Sequence, residues 1–493
     1  MHNGKQSVFT TALSFSSIFA LAFFSFIAGG CGDNRYNAEK LLWKAQKNEE
    51  NIIRKVSGEP TKQQIGRVIS YYKKVTQKYP LENSAVKAHF KIGQIYINSG
   101  KYDEARQEFK RIIENNSAIS QIASRAQLVL GKSFESQGNI KQAMAEYDTL
   151  IDLYPLTSEG LQMPVYIIHY YKTQADEESV DKAFKKAVRH YKSLIGEYGK
   201  QTNAAALISD YLAQAMFENS KWEEAIEVWD NIIALKEDSS FAAKALLSKA
   251  ETYAVQLNNI DKSISLYEKY IEKYPKSPFI KQVKFRLGNW YLAAGQLKAA
   301  EVLFSALKED YPKDDDIDIF KSFTRIRLLK EKGLNEEAAA EYSRLERDYP
   351  DNLNTVGVPL LKYRHYQDAG DIDKAALQLK SAISFYEKEL KESSDKEKTV
   401  ALAKWLFVSF AQIKDWDRAL EVLESLAAKF PEEPNFLLST ASLLSNQLMR
   451  PDEAIDMYRE VLDKFDLSDK SRRHLARRIE LLKIESAKKP VLK

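Results

Sequence analysis

Cys31 is the only cysteine among 493 residues, so neither an intramolecular disulfide nor a CxxC redox or zinc site can form. The six histidines, at positions 2, 89, 169, 190, 365 and 474, make no HxxxH or HExxH pair, the spacing that turns two imidazoles toward one metal from a single helix face. No GxxxxGK(S/T) phosphate loop, GxGxxG turn or GxSxG elbow occurs. Serines and aspartates are common, but without a positioned base they are polar surface. No catalytic residue, metal ligand or cofactor is expected. The carboxylates of "KDDDIDIF", residues 313–320, have the chemistry of a calcium site but lack the loop glycine and distal glutamate, and read as a solvated helix start. The basic run "KSRRHLARR", residues 470–478, could meet anionic phospholipid or an acidic partner, and reads as the face of a capping helix. What stands out is Cys31, whose position after an apolar run suggests a chemical tether.

The residues around it have the order of a secretory signal. Lys5 charges a short leading segment, residues 8–28 form an uncharged run of 21, and the small residues Ala28, Gly29 and Gly30 precede Cys31. Residues 25–31, "SFIAGGC", resemble the lipobox of bacterial lipoproteins. That resemblance implies a signal at 1–30, cleavage before Cys31 and a lipid on its thiol. The family usually has Leu three residues before the cysteine, where this chain has Ala28, with Ile27 one step further back. Gly32 follows the cysteine and Asp33 comes second, which by the same resemblance implies the periplasmic face of the outer membrane in a Gram-negative envelope. The run is also long enough to span a bilayer, so an uncleaved inner-membrane anchor is the alternative. Both place the body outside the cytoplasm.

Beyond residue 31 the composition changes. Glycine and proline are scarce, 18 and 13 in all, and Ala, Leu, Lys, Glu and Tyr dominate, which favours helices joined by short connections. The 73 basic and 69 acidic residues leave a net charge of +4. Without a basic excess, nucleic acid is not an expected partner.

The elements repeat. From Gly93 an aromatic follows at three residues (Tyr96), alanine at twelve (Ala105), an aromatic at sixteen (Phe109) and Ile112 at nineteen. Gly131, Phe134, Ala143, Tyr147, Leu150 and Pro155 repeat the spacing, as do Gly288, Tyr291, Ala300, Phe304, Leu307 and Pro312. Weaker copies run from Ala213, Ile326, Tyr363 and Phe407, and Ala454, Tyr458 and Val461 close the series. Around Ala250 and Tyr267 the register carries one extra residue, and residues 156–199 hold a stretched unit with "KTQADEESVD" as a longer connection. Each unit reads as two amphipathic helices, a tight turn such as "SQGNIKQA", and a proline stop in "YP". Most of the 26 tyrosines fall at aromatic core offsets, so packing explains them better than a sugar- or peptide-stacking surface. One helix pair cannot bury its apolar face alone; stacking supplies the core.

These spacings resemble the tetratricopeptide repeat. The resemblance implies an all-α helical-hairpin solenoid wound as a right-handed superhelix, with ten or eleven units over residues 61–466. A tether and N-terminal helix occupy 31–60, and a capping helix 467–493. It also implies a groove lined by first-helix residues one and four or five positions after the small residue. Carried onto this chain, those are Gln94 and Asn98, Lys132, Gln214, Asn289, Arg327, and Arg364 with Gln367. Amides pair with an extended peptide backbone and cations with carboxylates, so the expected partner is a protein or extended peptide. The "YP"-ended helices and the tether resemble the outer-membrane lipoprotein of β-barrel assembly and the periplasmic Tol–Pal coordinator. The expectation is a membrane-tethered, non-enzymatic scaffold in cell-envelope assembly; the alternative is an accessory lipoprotein for polysaccharide export or peptidoglycan enzymes.

Overall fold

The structure is a computed structural model that describes residues 32–54, 60–465, 467 and 469–487. Cys31 and the signal segment 1–30 lie outside the described residues. Among those described are twenty-three α-helices, one π-helical turn and no strand. The chain divides into two compact units, with the boundary between Gly160 and Leu161. The first holds α1 (Gly32–Arg54), α2 (Lys62–Lys78), α3 (Asn83–Asn98), α4 (Tyr102–Asn115), α5 (Ser120–Ser136) and α6 (Ile140–Leu153). Helix α7 (Ser158–Thr173) starts before the boundary and leads into the second.

The second unit continues with α8 (Glu177–Tyr198), α9 (Thr202–Glu218), α10 (Trp222–Leu235), α11 (Ser240–Glu251), α12 (Ile260–Lys273), α13 (Ile280–Ala293) and α14 (Leu297–Asp310). It ends with α15 (Asp315–Glu331), α16 (Asn335–Asp348), α17 (Val358–Asp368), α18 (Ile372–Glu392), α19 (Lys396–Gln412), α20 (Trp416–Lys429), α21 (Pro434–Asn446), α22 (Pro451–Lys464) and α23 (Asp469–Ala487). Odd-numbered helices are the first of a hairpin and even-numbered the second. Within each unit successive helices pack on one another, α7 on α8 through Leu161 and Ile168 against Ala187 and Tyr191. Helix α1 is part of this stack: Ala38, Leu42 and Ala45 are buried with Val68 and Tyr72 of α2 and Ile92 of α3.

The crossing inside a hairpin follows from the repeat residues. A Cβ added at Gly93 would stand 2.4 Å from the Phe109 ring, at Gly131 2.5 Å from Tyr147, and at Gly288 2.5 Å from Phe304. The missing methylene lets the ring of the second helix lie on the backbone of the first. Opposite it the alanines Ala105, Ala143, Ala225, Ala300, Ala338, Ala419 and Ala454 are completely buried, so the helices meet there at closest approach.

Turns and stops are equally regular. Gly138 and Gly295 take φ of 81° and 73° between first and second helix, and Ala175 and Ser220 hold the same left-handed place at 56° and 58°. Glycine adopts that conformation without penalty, whereas a side chain there costs roughly 1–2 kcal/mol and needs the surrounding packing to hold it. At the other end Tyr79, Tyr154, Tyr274, Tyr311, Tyr349 and Phe430 are the C-cap residues, each directly before a proline that forces its predecessor out of helical geometry.

The two irregular units differ in kind. The extra residue near Ala250 is absorbed by a π-helical turn, Thr252–Gln256, whose Leu257 N–H donates to the Thr252 carbonyl at 3.1 Å. A π-turn takes in one residue without breaking the helix. "KTQADEESVD" is not a long connection. Its first two residues end α7, its last five begin α8, and Asp176 caps the latter by accepting from the Ser179 N–H. The added length is in α8 itself, 22 residues against 14 in α6 or α14. "KDDDIDIF" is a helix start, with Asp314 accepting from the Ile317 N–H at 3.1 Å to cap α15.

Polar fasteners join the hairpin helices. Asp318 of α15 accepts from Tyr349 Oη at 2.6 Å and from Arg344 Nη1 of α16 at 3.0 Å. Burial pushes the Asp318 carboxyl up, but these bonds outweigh it and hold it below the usual carboxylate range. Burial and the same bond push the Tyr349 hydroxyl up to about 12.

Two tests follow from this packing. Ala300→Leu overpacks the α13–α14 crossing and should cost about 1–3 kcal/mol, read as a lower melting temperature with faster amide exchange in those two helices; an unchanged melt contradicts the assigned crossing. Asp318, with its folded-state pKa depressed, contributes stability that is complete above its unfolded value near 3.9 and lost as pH falls through the folded value. Asp318→Asn should therefore lower the melting temperature at neutral pH and flatten its fall below about pH 4.

Candidate binding surface on the first helices

The odd-numbered helices carry the surface that the repeat leaves polar. Pairings beyond chain neighbours join first helices, α1 with α3 and α9 with α11. Polar side chains add rungs: Lys244 of α11 donates to Asp210 of α9 at 2.6 Å, Arg286 of α13 pairs with Glu251 of α11, and Lys330 of α15 reaches Asp368 of α17 at 3.1 Å.

In the first unit, Gln94 and Asn98 are exposed on α3, and the Gln94 Nε2 donates to Asn98 Oδ1 at 2.9 Å. Lys132 of α5 is half-buried, 3.2 Å from Glu135 and 5.8 Å from the centre of the Tyr147 ring. Burial lowers its pKa, with Glu135 opposing. It is held inside the hairpin, less available to a ligand than its position after Gly131 implies. In the second unit, Gln214 donates to Asp210 at 2.8 Å, so Asp210 joins it to Lys244.

The remaining four positions lie on three consecutive first helices. Asn289 is on α13 and Arg327 on α15, while Arg364 and Gln367 are on α17. The Arg327 guanidinium donates to the Leu292 carbonyl at 2.6 Å, filling an acceptor at the end of α13. The side chains of Asn289, Arg364 and Gln367 make no hydrogen bond to another described residue. Their amides and guanidinium are free to meet a backbone or a carboxylate.

Another arrangement recurs that the sequence reading did not assign. Glu49 of α1 accepts from the Tyr72 hydroxyl at 2.5 Å and pairs with Lys91 of α3 at 3.0 Å. Glu251 of α11 likewise takes the Tyr267 hydroxyl and Arg286 of α13. In both, one carboxylate ties first helix, second helix and next first helix together. The signal was present: Lys91 and Arg286 each stand two residues before the repeat glycine. Burial and the carboxylate push both tyrosine hydroxyls well above their ordinary value.

Among the described residues, no group of three or more His, Cys, Asp or Glu is placed to hold a metal ion, and no helix is long and apolar enough to cross a membrane.

Comparison with known proteins agrees with the helix pairs. One family model described as the tetratricopeptide repeat matches residues 90–156, 211–278, 252–315 and 406–476, and a second of the same description matches 375–433. No curated protein matches the chain at a significant level. Among solved structures, the yeast Tom70 crystal structure is similar at 15% identity, over 93% of this chain and 99% of that one, with a TM-score of 0.40. The C-terminal part of a TPR repeat-containing protein from Cytophaga hutchinsonii is similar at 16% identity, over 58% of this chain and 99% of that one, with a TM-score of 0.34. Naa15/Naa10 bound to HypK-THB is similar at 14% identity, over 91% of this chain and 66% of that one, with a TM-score of 0.31. The family matches together cover more than half of the chain and fall on helix pairs that share the buried alanine, three of them with the ring-on-glycine contact as well: the chain belongs to the tetratricopeptide-repeat family.

Proposed function

We propose that this chain is a membrane-tethered, non-enzymatic scaffold whose first helices bind an extended segment of a protein partner in cell-envelope assembly. The observation that carries the reading is the run of first-helix polar positions over α13, α15 and α17, where the side chains of Asn289, Arg364 and Gln367 make no hydrogen bond while the rungs beside them are closed. Amides at such positions satisfy an extended backbone, and Arg364 is suited to a carboxylate on it. Most of the titratable groups described above are paired, many of them across helices, and hold the fold. They are not gathered in one cleft with a nucleophile and a base, the arrangement a hydrolase or transferase needs.

The tether is the other half of the proposal. Residues 8–28 and Cys31 deliver the chain to a membrane by lipidation or by an uncleaved anchor. A lipidated cysteine carrying more than one acyl chain holds stably, at roughly 0.8 kcal/mol for each buried CH₂, where a single chain would not.

A photo-reactive residue at position 367, activated in native membranes, should trap a protein, and Arg364→Ala with Gln367→Ala should weaken that complex by about tenfold or more, since a charge-assisted bond contributes roughly 1.5–3 kcal/mol. Assembly or secretion proteins among the products support the reading; polysaccharide-export or peptidoglycan enzymes would redirect it; none at all removes it. Cys31→Ser should release the chain from membrane extracts if lipid is the anchor, and retention would assign that role to residues 8–28.

A further inference from the structure

The stacked helices use nearly all their aromatic side chains for packing. Tyr36 and Trp43 are exceptions, 61% and 56% exposed. Both are on α1, and Trp43 is the one exposed tryptophan among the described residues. They share a stripe with Lys40 and Lys47, since steps of four, three and four residues return to one face of a helix. Lys40 Nζ lies 5.7 Å from the Tyr36 ring centre and Lys47 Nζ 4.9 Å from that of Trp43. The opposite face, Ala38, Leu42 and Ala45, is the buried one, with Leu42 and Ala45 packed against α2 and α3. The hairpins of the first unit therefore stack on one side of α1 and leave this stripe to solvent.

We propose that the stripe Tyr36–Lys40–Trp43–Lys47 lies on the anionic headgroup layer of a phospholipid membrane, so that α1 is held flat along the surface with the hairpins stacked on its far side. The inference rests on the anchor reading of residues 8–31. The place of α1 selects this occupant. It begins at Gly32, four residues after the 21-residue apolar run ends at Ala28. Lipidated or uncleaved, that anchor fixes the start of the helix at the membrane, and at 1.5 Å per residue the stripe spans roughly 6–23 Å from it.

Side-chain chemistry agrees. Tyr and Trp have an apolar body with a polar tip, and favour the boundary between headgroups and acyl chains. Lysine lays its stem along apolar surface and leaves the ammonium among phosphates. Of the charged residues on the exposed arc, Lys44 joins Lys40 and Lys47 on one flank. Glu39 and Glu50 lie on the other, with Arg35 3.3 Å from Glu39. The arc is net positive, as an anionic surface requires.

The test uses the full chain reconstituted into vesicles of phosphatidylethanolamine and phosphatidylglycerol with brominated acyl chains, which quench nearby tryptophan. Wild type should lose a part of its emission that Trp43→Phe does not lose. Lys40→Gln with Lys47→Gln should reduce that loss, as should replacing phosphatidylglycerol by phosphatidylcholine. Equal quenching of wild type and Trp43→Phe overturns the proposal, and a concentration-dependent doubling of mass with it assigns the stripe to a second copy of the chain. A chain that does not float with the vesicles removes the anchor reading and this inference together. One that floats without Trp43 quenching removes only the inference.

Discussion

The contact on which the other features depend is an aromatic ring laid against a helix backbone that has no side chain in the way. Phe109 on Gly93, Tyr147 on Gly131 and Phe304 on Gly288 leave no room for a methyl group. Each brings the two helices of a hairpin together at a fixed height and angle. Once that crossing is set, the alanine four residues before the ring is carried into the same contact and is completely buried in all three hairpins. The apolar residues above and below it then face the next hairpin rather than their own. Burial of roughly 25 cal/mol per Å² drives the stacking, but the glycine and the ring decide its geometry.

Where the sequence departs from the pattern, the chain keeps the crossing and gives way elsewhere. The extra residue after Ala250 does not move Tyr267 from the core; it is stored in a π-turn at Thr252–Gln256. The turns at Ala175 and Ser220 keep the left-handed conformation that glycine adopts in their neighbours. The surplus residues of the stretched unit extend α8 and leave its junction with α7 short. Local strain of this kind is tolerated because the surrounding helices over-determine the position.

Polar chemistry follows the same frame. Glu49 and Glu251 are held where three helices meet, and each receives a tyrosine hydroxyl from one side and a cation from another. A largely buried carboxylate in that position must be paired, and pairing it binds successive hairpins. This is why many charged groups on the first helices are fasteners, and why Arg364, Gln367 and Asn289 differ from them.

The sequence by itself determined the all-helical class, the helix pairs, the buried alanines and the ring positions, because these depend on spacing along one or two helices. It also located the surplus residue near Ala250. It could not tell which polar residues would be used internally. Lys132, Arg327 and Arg364 occupy related places after the repeat's small residue, yet the first pairs with Glu135, the second closes the end of α13, and the third stays open. That choice depends on which carboxylate or carbonyl the neighbouring helix presents, a relation between residues as far as 35 positions apart, as for Arg327 and Leu292. The expectation of a tether and N-terminal helix at 31–60, apart from the array, has the same cause. Nothing in its own spacing shows that the face of Ala38, Leu42 and Ala45 is covered by α2 and α3, and only that packing leaves Tyr36 and Trp43 facing outward.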